Sequence, residues 1–264
     1  MIDINNNTAV VFPGQGSQVI GMGADLYEKS SIAKDIFDEV DETLGRKLTD
    51  IVFSGSQEVL NKTENAQPAI TATSLACFSV FKDKFKDFTP SVTAGHSLGE
   101  YTSLSASNAL SVSDTIRLVS ERGRLMQIAC DKNPGGMVAI IGMEIDVVEE
   151  VCREAGAYPS NINSSQQVII SGDNDSLAIA VDLAKARGAK KAIKLSVGGA
   201  FHSILMEPAR DSLMDFIESL NFSDPEIPLI GNVNAKPLEN ASQIKNELIE
   251  QLMSCVQWLS LIHI

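Results

Sequence analysis

Apolar and polar positions along this chain follow two rhythms. Short runs rich in β-branched or small residues read as strands, and segments with apolar positions every three to four residues read as helices. Thr8–Phe12 (T-A-V-V-F) is the first strand. Helical patterns follow over Gly23–Leu44, Ser56–Lys62 and Pro68–Phe85, then a strand over Ser91–Ala94 and a helix over Ser111–Cys130. Asn133-Pro-Gly-Gly136 breaks the pattern and marks a subdomain boundary. Beyond it come a strand (Met137–Met143), a helix (Asp146–Ala155), two strands (Ser160–Asn163 and Val168–Ser171) around Ser164-Ser165-Gln166-Gln167, a helix (Asn174–Arg187) and a strand (Ala192–Val197). That βαββαβ order predicts a ferredoxin-like unit. A helix from about Leu205 to Leu220, a strand at Ile227–Asn232 and a helix at Ala241–Met253 complete the pattern.

The strand at Ser91–Ala94 runs into Gly95-His96-Ser97-Leu98-Gly99, and Leu98, Tyr101 and Leu104 resume at helical spacing. A G-x-S-x-G between strand and helix is the nucleophile-elbow pattern: the glycines permit a sharp turn, and a serine hydroxyl stands at a helix N-terminus. There the dipole and the Leu98 N–H can stabilise an oxyanion. A plain glycine-rich turn is the bland alternative. With the elbow, the predicted fold is α/β: an α/β-hydrolase-like large subdomain (1–132 and 199–264) carrying an inserted ferredoxin-like small subdomain (133–198). Pro13-Gly-Gln15-Gly16, after the first strand, lacks the spacing and the lysine of a phosphate loop. It allows a ligand close to the Gln15 backbone, or is a tight turn only.

On a helical wheel, Ile116, Val119, Met126 and Cys130 form one apolar row of the Ser111–Cys130 helix, and Leu118, Leu125 and Ala129 a second. Arg122 falls between the two rows, whereas Arg117, Ser120 and Arg124 take the solvent side. An arginine cannot shed its proton, so an apolar setting is costly unless an anion meets it. The partner is either a structural carboxylate or a substrate carboxylate held bidentately. The chain has three histidines. His263 is near the end and His96 lies inside the elbow, which makes His202, in Gly198-Gly-Ala-Phe201-His202-Ser203, the candidate general base for Ser97. Asp114, Asp173, Asp211 or a backbone carbonyl could orient it.

Composition narrows the classes. The apolar fraction of 44% and charged fraction of 21% suit an ordinary globular protein. No apolar run reaches the ~18 residues of a membrane span, and the N-terminus lacks signal-peptide character, so a cytoplasmic protein is expected. Cys77, Cys130, Cys152 and Cys255 have neither metal-ligand nor disulfide-frame spacing and read as buried thiols; no metal is expected. A net charge of −13 argues against nucleic acid as partner. Against that background Lys185, Arg187, Lys190, Lys191 and Lys194 cluster within ten residues. They are either a solvated helix end or a docking patch for something acidic.

Six segments carry a resemblance: VFPGQGSQ (11–18), AGHSLGEY (94–101), ERGRLMQ (121–127), NINSSQQVIISG (161–172), GGAFHSILMEPA (198–209) and QLMSCVQW (251–258). Spread in order over nearly the whole chain, they resemble the malonyl-CoA:acyl carrier protein transacylases of bacterial type II fatty-acid synthesis. The resemblance implies Ser97 as acyl acceptor and His202 as its base, with backbone N–H groups of Gln15 and Leu98 as oxyanion hole. Arg122 would hold the malonyl carboxylate, and the Gln251 main-chain carbonyl would orient the histidine. Leu98 and Phe201 resemble the malonyl-selective pattern of related polyketide-synthase acyltransferases, Phe201 filling the space an extra methyl needs. The implied reaction is ping-pong transfer from malonyl-CoA to acyl carrier protein, without cofactor. Because the carrier is acidic, Lys190 and Lys191 are the expected docking point.

Members of that family usually continue past the tryptophan matching Trp258, adding a strand and a helix to the large subdomain. Leu259–Ile264 does not resemble that continuation and looks like translated adapter or vector sequence, implying an incomplete gene model, an open sheet edge and exposed apolar surface. Rival readings are a serine hydrolase or thioesterase, an acyltransferase module of a polyketide synthase, and a catalytically impaired carrier-binding protein. Arg122 and the lack of an assignable triad acid favour transfer over hydrolysis. The absence of linker sequence favours a stand-alone protein, and intact Ser97, His202 and Arg122 favour catalysis.

Overall fold

The computed structural model describes residues 8–264. Strand β1 (Ala9–Phe12) leads into helices α1 (Ala24–Lys29), α2 (Ser31–Leu44), α3 (Leu48–Ser54), α4 (Gln57–Asn61) and α5 (Thr63–Lys84). Strand β2 (Val92–Gly95), α6 (Leu98–Ala106) and α7 (Val112–Lys132) follow, then β3 (Gly136–Ile141), α8 (Ile145–Ala155), β4 (Tyr158–Ser164), β5 (Gln167–Gly172), α9 (Asn174–Ala186) and β6 (Lys191–Lys194). A 3-10 turn (Ile204–Met206) opens α10 (Glu207–Ser219), and β7 (Leu229–Ile230), β8 (Pro237–Leu238), α11 (Ala241–Gln251) and α12 (Trp258–His263) end the chain.

Two compact units share these elements. The first takes in residues up to Arg124 with Phe216–Gly231 and Pro237–Lys245. Its sheet has the order β1-β2-β7-β8, with β1, β2 and β7 parallel and β8 antiparallel. Beside the sheet, Ala33, Phe37 and Val40 recur at helical spacing along α2 and are buried with Leu48, Val52, Leu60, Ala69 and Ala72. The second unit takes in Leu125–Asp215, Asn232–Lys236 and Asn246–Ile264. Its sheet is fully antiparallel in the order β4-β5-β3-β6, and α8 and α9 complete a βαββαβ unit of ferredoxin-like topology. Val138, Ile140, Val148, Val151, Val168, Ile170 and Leu177 fill the core under its helices. The unit reaches beyond 133–198 because main-chain bonds tie later residues to the sheet. Val256 N donates to Ser160 O and Ile162 N to Val256 O, both at 2.9 Å.

Several elements differ from the sequence pattern, each for a local reason. Gly23–Leu44 is two helices, split where the Ser30 hydroxyl accepts from Ala33 N and caps α2. Helix α3 is absent from the pattern because Leu48–Ser54 is rich in β-branched residues. It forms because buried Asp41 accepts from both Thr49 N (3.1 Å) and Thr49 Oγ1 (2.6 Å) at its start. Helix α5 begins five residues before Pro68. A proline here leaves the Glu64 carbonyl without its usual donor, and Arg46 Nη2 takes that place at 3.2 Å. Strand β6 stops at Lys194 rather than Val197. Of the four cysteines, Cys130 and Cys152 are buried and Cys255 half-buried, but Cys77 is exposed, contrary to expectation. Among the described residues β1 pairs on one side only, and Val11 is 57% exposed. Leu259–Ile264 contributes to α12, where Leu259 packs on the second unit's core and Leu261 is buried.

Candidate active site

Strand β2 ends at Gly95 and α6 begins at Leu98, so the chain turns within two residues. Ser97 takes the turn at φ 51° and ψ −101°, a strained conformation for a residue with a β-carbon. A Cβ on Gly95 would overlap the Gly99 backbone, and one on Gly99 would overlap the Phe12 carbonyl at the end of β1. Both positions therefore require glycine. His96 N donates to Phe12 O at 3.1 Å, Gly99 N to His96 O at 2.9 Å and Glu100 N to Ser97 O at 3.1 Å, which pins the turn. The buried Leu98 N–H lies in the first helical turn, where the helix offers no acceptor and its dipole is positive.

Arg122 is 1% exposed, and Ile116, Leu118, Val119, Leu125 and Met126 on the same helix are buried with it. Arg117 and Arg124 are exposed and paired within α7, to Asp114 at 3.1 Å and Glu121 at 2.6 Å. The Arg122 Nη2 donates to Ser97 Oγ at 3.1 Å, and its guanidinium carbon lies 4.8 Å from the Tyr101 ring centroid. A permanent cation thus rests on an aromatic face and reaches the elbow serine. Gln15 Nε2 donates to Thr63 Oγ1, and Gln67 Nε2 to Gln15 Oε1, each at 3.5 Å. Sequence reasoning missed both Tyr101 and the buried Gln67. Tyr101 had a signal, its place one helical turn after Ser97.

Phe201, His202 and Gln251 belong to the second unit, and all are buried. His202 has φ 56°, a left-handed conformation unusual outside glycine. Its Nδ1 lies 2.9 Å from the Gln251 carbonyl oxygen. A carbonyl only accepts, so Nδ1 carries the hydrogen and Nε2 is the basic nitrogen of the neutral ring. Gln251 is the last residue of α11, where a carbonyl lacks an intrahelical donor and the dipole is negative; both favour an imidazolium once formed. The three candidate aspartates are engaged elsewhere: Asp114 with Arg117, Asp211 with Arg210 at 3.5 Å, and Asp173 at the start of α9. Among the described residues no group of three or more His, Cys, Asp or Glu is arranged to hold a metal ion. Lys190, Lys191 and Lys194 are exposed on and beside β6, whereas Arg187 is paired with Glu154 at 2.6 Å.

The sequence model described as the acyl transferase domain matches residues 9–262. The chain belongs to the acyl transferase domain family. Among curated relatives of this acyl transferase, the malonyl CoA-acyl carrier protein transacylase of Bacillus subtilis is 44% identical over 255 residues, covering 95% of this chain and 80% of that protein. The solved malonyl CoA-acyl carrier protein transacylase of Coxiella burnetii superposes with a TM-score of 0.95 at 36% identity, covering 98% of this chain and 83% of its own. A type II PKS acyl-carrier protein in complex with its malonyl-transacylase gives 0.94 at 39% identity, covering 97% and 84%. At these scores the family's α/β fold is this chain's fold.

Proposed function

We propose that this acyl transferase moves a malonyl group from malonyl-CoA to the phosphopantetheine thiol of acyl carrier protein, through a malonyl ester on Ser97. The observation that carries this reading is the buried Arg122 guanidinium bonded to the strained Ser97 hydroxyl. An acyl group that ends in a carboxylate can pair with that cation through charge-assisted hydrogen bonds, a contact that an uncharged acyl group cannot make. Relatives named for this reaction, and a neighbour solved with a carrier protein, support the substrate and the acceptor.

In this reading His202 Nε2 takes the Ser97 proton as Oγ attacks the thioester carbonyl. The oxyanion is received by the Leu98 and Gln15 main-chain N–H groups, and the carbon–sulfur bond breaks as the coenzyme A sulfur takes the proton from His202. The carrier's thiol then gives its proton to His202 and attacks the serine ester, and the proton returns to Ser97. Phe201 limits the space beside the acyl α-carbon. The Gln251 carbonyl keeps the histidine in the required tautomer, so no carboxylate is needed as a third member. The cycle uses no cofactor and belongs to cytoplasmic fatty-acid synthesis.

Replacing Arg122 by Gln tests the carrying observation. Transfer from malonyl-CoA should fall roughly 100-fold or more in kcat/KM, and the preference over acetyl-CoA should shrink by a similar factor. Equal loss for both donors would show that Arg122 serves folding rather than carboxylate recognition.

A further inference from the structure

We propose that Ser171 is the positioning residue for His202, fixing the base by donating its hydroxyl hydrogen to the Phe201 carbonyl. The inference rests on the reading of His202 as general base. Ser171 Oγ lies 2.6 Å from Phe201 O, and both residues are buried. That carbonyl belongs to the peptide joining Phe201 to His202, the peptide whose orientation sets the positive φ of His202.

A residue with a β-carbon at φ 56° is strained by about 1 kcal/mol or more. Flipping the Phe201–His202 peptide would relieve the strain, but it would also carry the carbonyl away from Ser171 and loosen the backbone from which the imidazole meets Gln251 O. One buried hydrogen bond is of the right size to oppose such a flip. The platform is rigid. Ser171 lies on β5, which is paired on both sides, opposite Met137 of β3 and Tyr158 of β4. Its neighbour Ile170 faces the helix-covered core, so by strand alternation Ser171 faces the other side of the sheet. Other side chains hold the ends of the same loop: Ser203 Oγ donates to Ala200 O at 2.6 Å and Asn133 Nδ2 to Leu205 O at 3.0 Å. The peptide next to the base falls to Ser171.

The test compares variants in stopped acylation by malonyl-CoA and in steady-state transfer. Ser171→Ala should lower kcat roughly 10- to 100-fold while KM for malonyl-CoA moves less than about twofold. Ser171→Thr keeps the hydroxyl and should return kcat to within about threefold of wild type. Ser160→Ala is the matched control: it removes another buried hydroxyl-to-carbonyl bond of the same sheet, Ser160 Oγ to Ile169 O at 3.0 Å. It should lower Tm as much as Ser171→Ala and leave kcat alone. With His202→Ala already present, Ser171→Ala should cost no more than about twofold further, because its effect passes through the histidine. Should Ser171→Ala not fold, Ser171→Cys keeps the volume with a weak donor and carries the same expectation.

A folded Ser171→Ala or Ser171→Cys with the kcat of Ser160→Ala overturns the proposal. So does an unchanged Ser171 effect in the His202→Ala background. If His202→Ala itself acylates like wild type, the general-base reading fails and takes this role with it. If His202→Ala is inactive but the Ser171 variants match wild type, only the positioning role fails.

Discussion

Burial pushes the Cys130 thiol up to about 11 and the Cys152 and Cys255 thiols up to about 12, and packing followed by Asp25 raises Cys77 as well. None is a thiolate at neutral pH, so the only activated nucleophile in this account is the elbow serine. Iodoacetamide at pH 7 should therefore leave acylation by malonyl-CoA intact; inactivation prevented by substrate would assign the acyl group to a cysteine. Arg122 was legible in the sequence because a helical wheel reports burial directly, and a cation in an apolar sector stands out. Ser97 and His202 were legible as a motif and as the histidine remaining after two others were set aside. No local periodicity encodes the bonds that set their geometry: Ser171 reaches Phe201 across 30 residues and was not foreseen, and His202 reaches Gln251 across 49, a pairing that only the family resemblance implied.

Element boundaries that depended on side-chain-to-backbone bonds are where the pattern and the structure part. Helix α9 was legible to within one residue because its cap is written locally. Asp173 Oδ1 accepts from Asp175 N (3.0 Å) and Ser176 N (2.9 Å), and its other oxygen from the Ser176 hydroxyl (2.8 Å). The Ser176 backbone bond, then its hydroxyl, hold this carboxyl below the usual range. Its folded value lies under the unfolded one, so the cap contributes fully above pH ~4 and is lost as pH falls through the folded value. Asp173→Ala should cost about 1 kcal/mol in urea unfolding at pH 7. The difference from wild type should vanish at pH 2; a cost unchanged at pH 2 would mean that the charge is irrelevant to the cap. Strand β6 carries the second prediction at this scale. Reversing Lys190 and Lys191 to Glu should raise KM for acyl carrier protein roughly tenfold and leave KM for malonyl-CoA unchanged. Equal effects on both substrates would remove the docking assignment. Helix α3 and the early start of α5 were illegible for the converse reason: their support comes from Asp41 and Arg46, which lie outside the helices they stabilise.

Across the whole molecule the charge of −13 keeps chains apart, but the sheet of the first unit works against it. Strand β1 offers an edge unpaired among the described residues, beside an open apolar groove of about 610 Å³ lined by Phe12, Phe78, Phe81 and Phe88. Such an edge invites strand addition by another chain. Light scattering should show self-association that rises with salt as the repulsion is screened, and Val11→Lys should suppress it without lowering Tm. A monodisperse wild type at high salt would show that the edge is protected. The α/β class and the βαββαβ order were legible at this scale because periodicity and element order suffice for them. The division into two units was less so, because it depends on late segments such as Val256 joining an earlier sheet. The most direct test of the central claim is intact-protein mass spectrometry after brief mixing with malonyl-CoA, beside Ser97→Ala and acetyl-CoA controls. A malonyl-sized adduct on Ser97, absent from both controls, is expected. A chain that is folded by circular dichroism yet carries no adduct, or one that takes acetyl as readily as malonyl, would contradict it.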